Sequence, residues 1–182
     1  MRFFSLLIVA LVLMIFPCKA QEKGTFTDSR DGKTYKTVKI GERWWMAQNL
    51  AFTVCPDGWH LPTDEEWKHL ERSLGMSLSE SDSVNWRSSG RVDLKIMSTE
   101  WGNDKQGSNV SGFSALPGGI SFANEYMPDT IFGLIREAAD FWTSTAANDK
   151  KAWTRGVYAK TTGLGRGAFL TCDGLSVRCI RN

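Results

Sequence analysis

The chain has 182 residues, among them 22 Lys and Arg, 20 Asp and Glu, 8 Trp, 17 Gly, 4 Cys and 2 His. This length suits one domain with a sizeable core. The 23% charged and 42% hydrophobic fractions exclude disordered, collagen-like and coiled-coil chains. With a formal net charge of only +2, the chain lacks the excess of basic residues that is typical of nucleic-acid-binding domains. Two histidines cannot build a multi-histidine metal site, and we predict no cofactor.

Residues 1–20 have the three parts of a secretory signal peptide. Arg2 supplies the positive charge, residues 5–16 are apolar and uncharged, and small residues stand at positions −1 and −3 of a cut between Ala20 and Gln21. The apolar run is too short to span a bilayer. We therefore expect cleavage after Ala20 and an exported protein that is extracellular, periplasmic or held at the cell surface.

Cys18 offers an alternative within this segment, because a cysteine near the end of a signal peptide can accept a lipid anchor. Pro17 stands where the lipid-acceptor motif needs a small residue, so we favour soluble release. Cleavage removes Arg2 and Lys19 and no acidic residue, which leaves the remaining domain formally neutral. Since no later apolar stretch reaches membrane length, we expect no transmembrane segment.

Three cysteines remain after the predicted cleavage, Cys55, Cys172 and Cys179. In an oxidising compartment they can form one disulfide and leave one thiol free. A Cys172–Cys179 bridge would clip a hairpin, whereas a Cys55–Cys179 bridge would close a much longer loop and stabilise the fold by about 4–5 kcal/mol. Spacing alone does not choose between them. A zinc site is disfavoured because no Cys-x-x-Cys pair exists.

The first part of the predicted domain reads as a lead-in followed by a β-hairpin. Residues 21–30 are polar, which predicts a flexible segment. Residues 34–40 alternate in side-chain character as a half-buried strand does. Gly41 and Glu42 then form a tight turn, and residues 43–50 continue as the partner strand.

The strongest helix signal in the chain starts after Thr63. Thr63 is placed to cap the helix and Glu66 completes a capping box, while Gly75 is a natural stop. Apolar residues recur at helical spacing and form the expected buried stripe: Trp67, Leu70 and Leu74. Residues 77–87 predict a second, weaker helix with Trp86 as its apolar contact.

From residue 92 onward the pattern indicates short strands and long loops. Residues 92–97 fit a short strand or a helix end, residues 98–111 are rich in turn formers, and residues 112–119 read as a strand that Pro117 breaks. Four further strand candidates follow at short spacing: 141–144, 152–160, 168–171 and 176–180. We predict one α+β domain with helices early and an antiparallel sheet late.

Six motifs in the same order resemble the Fibrobacter succinogenes major paralogous domain, a family of exported bacterial domains. They lie at 31–41, 45–50, 55–63, 112–119, 141–145 and 176–181, and include Trp-Met-Ala-Gln-Asn-Leu at 45–50, Cys-Pro-Asp-Gly-Trp-His-Leu-Pro-Thr at 55–63 and Ser-Val-Arg-Cys-Ile-Arg at 176–181. The resemblance covers residues 31–182. It departs from the family between Leu50 and Cys55, where members usually carry an extra aromatic-rich segment.

The resemblance implies a C-type-lectin-like or formylglycine-generating-enzyme-like fold, with an N-terminal hairpin, two helices and an antiparallel sheet with long loops. In that fold a cysteine near the first helix bridges to the last strand. The resemblance therefore favours a Cys55–Cys179 disulfide and leaves Cys172 unpaired.

Catalysis has little support in the sequence. His60 between Trp59 and Leu61 is typical of a hydrogen-bonded structural residue, and His69 lies beside Leu70 on the predicted helix. Formylglycine-generating relatives use a pair of active-site cysteines, which the single unpaired Cys172 cannot supply. Ergothioneine-type relatives use a three-histidine iron site, which two histidines cannot build. The alternative to a non-enzymatic domain is a thiol-dependent oxidoreductase or modifying enzyme that uses Cys172.

A recognition module is the favoured function. Trp101 in its polar loop could stack on a sugar or peptide ring, or could pack on the core as a loop anchor. Asn103 and Asp104 partly match a calcium motif, although the sugar-binding triplets of lectins are absent, and we predict no other metal site. We expect an extracellular carbohydrate or protein as partner, contacted through loops 98–111 and 127–137, and no nucleic acid.

Overall fold

Two antiparallel sheets and a set of short helices make up the described part of the chain. A computed structural model describes residues 21–101, 105–124 and 127–182. The predicted signal peptide, with Cys18 and the cleavage site at Ala20, lies outside these residues. In chain order the elements are β1 (Lys23–Thr27), β2 (Thr34–Ile40), β3 (Arg43–Met46), β4 (Trp59–His60), α1 (Asp64–Ser73), α2 (Leu78–Asp82), β5 (Asn85–Arg87), α3 (Val92–Ile96), β6 (Ile120–Asn124), β7 (Met127–Gly133), β8 (Ala138–Asn148), β9 (Lys151–Tyr158), β10 (Leu164–Leu170) and β11 (Ile180–Arg181).

The first sheet joins the beginning of the described chain to its end. Its strand order is β1-β2-β3-β11-β4, and all its pairings are antiparallel. The predicted hairpin is confirmed, with Gly41 at φ 62° in the turn, where glycine carries no steric penalty. Its second strand ends at Met46 instead of Leu50: the amide of Ala47 still donates to Lys36 on β2, whereas the amide of Leu50 donates to Val177.

The lead-in over 21–30, which we predicted to be flexible, contains strand β1. This strand pairs with β2 in the register Phe26 opposite Tyr35. Phe26 packs on Trp59, with the ring centroids 5.2 Å apart. The pairing with β2 and the contact with Trp59 order this segment, and its polar composition predicts neither of them.

Helix α1 has the predicted boundaries and cap. The hydroxyl of Thr63 accepts from the amide of Glu66, whose carboxylate accepts from the amide of Thr63 in return. The helix ends at Ser73, one turn past Leu70, and Gly75 follows at φ 99°. Trp67 and Leu70 are buried, as the apolar spacing predicted.

The helix predicted over 77–87 is only partly correct. Helix α2 ends at Asp82, Ser83 is extended, and residues 85–87 form strand β5. Arg87 explains the change, since its buried guanidinium donates to both carboxylate oxygens of Glu71 on α1, at 2.6 and 2.9 Å. This contact draws the segment onto the second sheet as an edge strand.

The second sheet has the strand order β5-β10-β9-β8, and β6 and β7 form a separate two-stranded sheet. Three of the four late strand predictions are confirmed as β8, β9 and β10; β8 and β10 are longer than predicted, and β9 ends two residues earlier. The fourth, over 176–180, shortens to β11, although Ser176 still bridges to Phe141. Residues 112–119 form no regular strand; Ala115 makes an isolated bridge to Met97.

An aromatic cluster holds the sheets and α1 together. The Trp67 ring lies 5.1 Å from Trp45 of the first sheet, 5.5 Å from Phe113 and 5.8 Å from Phe141 of the second sheet, measured between centroids. All four side chains are buried. Burying each ring contributes about 2–3 kcal/mol, so this cluster is the centre of the core.

A smaller core lies beneath the loop that carries Cys55. The Cys55–Cys179 disulfide is present, with the two Cα atoms 5.9 Å apart and a sequence separation of 124, while Cys172 is free and exposed. Tyr35 and Met46 are buried in this second cluster beside Cys179. The disulfide therefore fixes the loop over one face of the first sheet.

Buried ion pairs fix α1 against the inner face of the second sheet. Asp64 accepts from Arg155 at 2.8 Å and from Arg166 at 2.7 and 3.0 Å. Glu71 accepts from Arg155 and from Arg87. Arginines from three strands thus bind the carboxylates of one helix. The opposite face of the sheet, which we call its outer face, does not contact α1 through these ion pairs.

Arg178 accounts for part of the 176–181 motif. Its buried guanidinium donates to the side-chain oxygen of Asn49 at 2.6 Å and to the carbonyls of Met46 and Phe113 at 3.0 and 2.7 Å. It therefore ties the last strand to the hairpin and to the core loop. In the described ranges, no helix is long and apolar enough to cross a membrane.

Candidate functional site

Trp101 is the one predicted ligand-contacting residue of the 98–111 loop that lies within the described structure. Trp101 is only 3% exposed, and its indole N–H donates to the carbonyl of Ala115 at 2.7 Å. These contacts agree with the alternative of a loop anchor, and they leave little of the Trp101 ring for a ligand to stack on. Its hydrogen-bond partner lies 14 residues away, which the sequence pattern could not reveal.

The remaining loop predictions have mixed outcomes. Asn103 and Asp104 lie outside the described residues. Over the described ranges, no group of three or more His, Cys, Asp and Glu side chains is placed to hold a metal ion. Residues 127–133, predicted as part of a loop, form strand β7 with β6 as its partner.

His60 is held in a structural network. One ring nitrogen lies 2.5 Å from the side-chain oxygen of Asn182 and the other 3.0 Å from the carboxylate of Glu66, which also caps α1. Both ring nitrogens therefore have partners within the fold, in line with the structural role predicted for this residue.

The outer face of the second sheet carries an unusual row of residues. Strand register places Asp140 of β8 opposite Gly156 of β9, Gly156 opposite Gly165 of β10, and Gly165 opposite Trp86 of β5. Paired residues point to the same face of a sheet. A carboxyl and an indole thus stand at the two ends of a row whose two middle positions have no side chain.

The two glycines allow these outer side chains to lean over the sheet. A Cβ on Gly156 would overlap the Asp140 carboxyl oxygen Oδ1, and a Cβ on Gly165 would lie 3.0 Å from the ring of Trp86. Glycine inside a strand often marks such a close approach. Both positions therefore serve the placement of Asp140 and Trp86.

A cavity of about 150 Å³ lies over this row. We call it the Asp140 pocket; its lining residues are Asn85, Trp86, Asp140, Thr154, Gly156, Tyr158, Gly165, Arg166, Gly167 and Phe169. Trp86 is 43% exposed and meets Tyr158 edge to face, with the centroids 5.0 Å apart. The pocket thus combines an accessible aromatic surface with a carboxyl group.

The carboxyl of Asp140 is almost completely buried, at 2% exposure. Its Oδ2 atom accepts no hydrogen bond from any described residue. Burial raises the pKa of Asp140 to about 7, against a smaller lowering effect of the Tyr158 hydroxyl. Burial and the neighbouring Asp140 also raise the pKa of Tyr158. Unpartnered buried carboxyls and strongly displaced pKa values are typical of functional sites.

Among the described residues that line the pocket, none places a cation against this carboxyl. Arg166 is the one basic residue among the lining residues, and strand alternation sends its side chain to the opposite face. There its guanidinium binds Asp64 and lies 4.1 Å from the centroid of the Trp153 ring. The negative charge of an ionised Asp140 is therefore available to a ligand.

Other surface hollows are larger but chemically plainer. Three of 430–490 Å³ lie beside the hairpin turn, along β1 and β3, and around Lys105. None of these three contains a buried described side chain with an unpartnered polar atom. The Asp140 pocket is consequently the best candidate site.

Sequence reasoning missed this pocket. Asp140 stands between Ala139 and Phe141 and looks like an interruption of a strand, and Trp86 was assigned to a helix. One signal was available: glycines at 165 and 167 alternate just before the strand predicted over 168–171. Such alternation leaves one face of a strand without side chains.

The fold defines a disulfide-closed domain of mixed α and β structure with two antiparallel sheets. The model of the Fibrobacter succinogenes major domain matches residues 51–181. The chain therefore belongs to the Fibrobacter succinogenes major domain family. The match includes both bridged cysteines and the Asp140 pocket, and the hairpin precedes it. Searches of curated proteins and of solved structures found no match.

Proposed function

We propose that the chain is an exported, non-enzymatic recognition domain that binds carbohydrate in the Asp140 pocket. The observation that carries this proposal is the exposed ring of Trp86 beside a buried carboxyl over a glycine floor. A sugar presents an apolar ring face and several hydroxyl donors. The apolar ring face matches an aromatic side chain, and the hydroxyl donors match an acceptor such as the carboxyl of Asp140.

Export has two supports. Residues 1–20 have the pattern of a signal peptide. The Cys55–Cys179 disulfide is of the kind that forms in oxidising compartments. We also propose the C-type-lectin-like fold for this domain, since it joins the strands at both ends of the described chain in one sheet and bridges a cysteine before α1 to the last strand.

A carbohydrate fits the pocket better than a protein surface does. Protein interfaces are broad, whereas this cavity of about 150 Å³ admits only a small group. The expectation that a partner binds through loops 98–111 and 127–137 is weakened, because Trp101 is buried and residues 127–133 form a strand.

A glycan array, run with calcium and with EDTA, tests the proposal. We expect binding in both conditions, and loss of binding in Trp86→Ala and in Gly167→Leu. Gly167 has no atom within 4 Å of an added Cβ, so a leucine there obstructs the pocket without a clash at its base. Lys36→Leu, at an exposed position of the other sheet, is the matched control and should bind normally. A blank array, or unchanged binding in both pocket variants, would contradict the proposal.

The alternative is a thiol-dependent enzyme that uses the free, exposed Cys172. Cys172→Ser separates the two functions, since Cys172 is not among the residues that line the pocket. Unchanged glycan binding in this variant is expected for a recognition domain. A glycan-dependent thiol reaction that Cys172→Ser abolishes would favour the enzyme.

A further inference from the structure

We propose that the pocket selects sugars that carry a free amino group, with the ammonium placed against the carboxyl of Asp140, which lines the pocket. This inference rests on the proposed function and specifies its ligand. Three properties of the described residues support it: the buried carboxyl, whose Oδ2 atom has no hydrogen-bond partner, the aromatic lining and the size of the cavity.

The carboxyl favours a cationic donor over a neutral one. An ionised carboxylate that is 98% withdrawn from water is costly unless a charged partner compensates it. A sugar hydroxyl would supply one hydrogen bond and leave the charge of Asp140 in place. An ammonium supplies the hydrogen bond and the opposite charge together, and such charge-assisted bonds are about twice as strong as neutral ones.

The aromatic residues favour the same ligand group. Trp86, Tyr158 and Phe169 line the pocket together with Asp140. The electron-rich faces of aromatic rings attract cations, by about 0.5–2 kcal/mol for each suitably placed ring. Among the described lining residues, no basic side chain competes with a cationic ligand, because the guanidinium of Arg166 is bound to Asp64 on the other face.

The size of the pocket limits what enters it. About 150 Å³ corresponds to roughly five water molecules in the liquid, too little to enclose a whole ligand of ordinary size. An amino group and the adjoining ring atoms fill this space. The rest of the sugar then lies outside, against the exposed part of Trp86.

Three tetrasaccharides with the same β-1,4 backbone test the inference, since they differ chiefly at carbon 2: an amino group in the glucosamine tetramer, an acetamide in the N-acetylglucosamine tetramer and a hydroxyl in cellotetraose. By titration calorimetry we expect the glucosamine tetramer to bind at least tenfold more tightly than the other two. Asp140→Asn should remove this preference. Gly167→Leu should weaken the binding of all three, and Lys36→Leu of none.

The outcomes separate the two proposals. If the neutral tetramers, or other neutral glycans on the array, bind as tightly as the glucosamine tetramer, the amino-sugar inference fails and the recognition function stands. Equal binding of the glucosamine tetramer by wild type and Asp140→Asn also overturns the inference. If no glycan binds, both proposals fail. A thermal melt of each variant shows that loss of binding is not loss of folding.

Discussion

The carboxyl of Asp140 occupies the space that a side chain on Gly156 would need, although the two residues belong to different strands. The glycine is therefore a condition for the buried position of the acid. The same relationship links Gly165 to Trp86 on the other side of the row. Because Gly156 and Gly165 have no side chains, the carboxyl of Asp140 and the indole of Trp86 can both line one pocket on this face of the sheet.

Gly156→Ala should destabilise the fold, because the added methyl overlaps Oδ1 of Asp140 in a buried place. We expect a loss of about 1–3 kcal/mol in the free energy of unfolding, measured by urea denaturation. Gly167→Ala is the matched control: its Cβ meets nothing within 4 Å, and the change should lie within about 0.5 kcal/mol of wild type or stabilise slightly. Equal effects of the two substitutions would contradict this account.

Asp140 should make the protein less stable as the pH rises. Its pKa is about 7 in the folded protein, well above the ordinary value of 3.8, so the native state holds this proton more tightly than the unfolded chain. Its contribution is complete below about pH 4 and is lost as the pH rises through 7. The gap between the two pKa values corresponds to at most about 4 kcal/mol.

Asp140→Asn isolates this effect. The wild type should lose stability between pH 5 and pH 8 relative to Asp140→Asn, when both are unfolded in urea at each pH. Because Tyr158 and all other titrating groups are shared, the difference between the two proteins reports on Asp140. Parallel pH profiles would show that the carboxyl is not buried as described.

Asp64 should have the opposite pH dependence. Burial alone would raise its pKa, but hydrogen bonds from Arg166 and Arg155 outweigh burial and lower the pKa to about 2. Its contribution to stability is therefore present above about pH 4 and is lost as the pH falls toward 2. Asp64→Asn should cost about 3–5 kcal/mol at neutral pH, because it leaves two buried arginines without this carboxylate.

Glu65→Gln is the control for Asp64→Asn, since it removes a neighbouring carboxylate that is 59% exposed. Exposed ion pairs contribute little, and we expect a change below about 1 kcal/mol. Circular dichroism and urea unfolding of both variants measure the difference. Similar losses in the two would show that the network around Asp64 is not the buried one described.

Removal of the disulfide should destabilise the fold strongly. Replacement of both Cys55 and Cys179 by serine opens a loop of 124 residues, and loop-closure entropy predicts a cost of about 4–5 kcal/mol. Cys172→Ser, at the free exposed thiol, should change the free energy of unfolding by less than about 0.5 kcal/mol. Guanidinium unfolding without reductant makes the comparison, and equal stability of all three proteins would contradict it.

Local signals in the sequence were sufficient for the first hairpin and for α1. Gly41 and the alternation around it encode the hairpin, and Thr63 with Glu66 encodes the start of the helix. These features depend on contacts within a few residues. The family resemblance supplied the long-range Cys55–Cys179 pairing, which spacing had left open.

The pocket could not be predicted in the same way. It depends on the register of four strands, which brings Trp86 into one row with Asp140, 54 residues later in the chain. Trp86 itself was misassigned because the ion pair between Arg87 and Glu71, which places β5 on the sheet, is invisible to helical periodicity. Likewise, the sequence left open whether Trp101 contacts a ligand or anchors its loop, because the Ala115 carbonyl that accepts from its indole N–H lies 14 residues away.

The bridge between Cys55 and Cys179 also determines how the domain responds to mechanical tension. A pull on Gln21 and Asn182 travels along the first hairpin, crosses the sulfur atoms and leaves through β11. The covalent ring between the two cysteines contains all four strands of the second sheet, and the force bypasses it. Under such tension β1, β2 and β3, which precede Cys55, would therefore separate first, while the Asp140 pocket would carry no mechanical load.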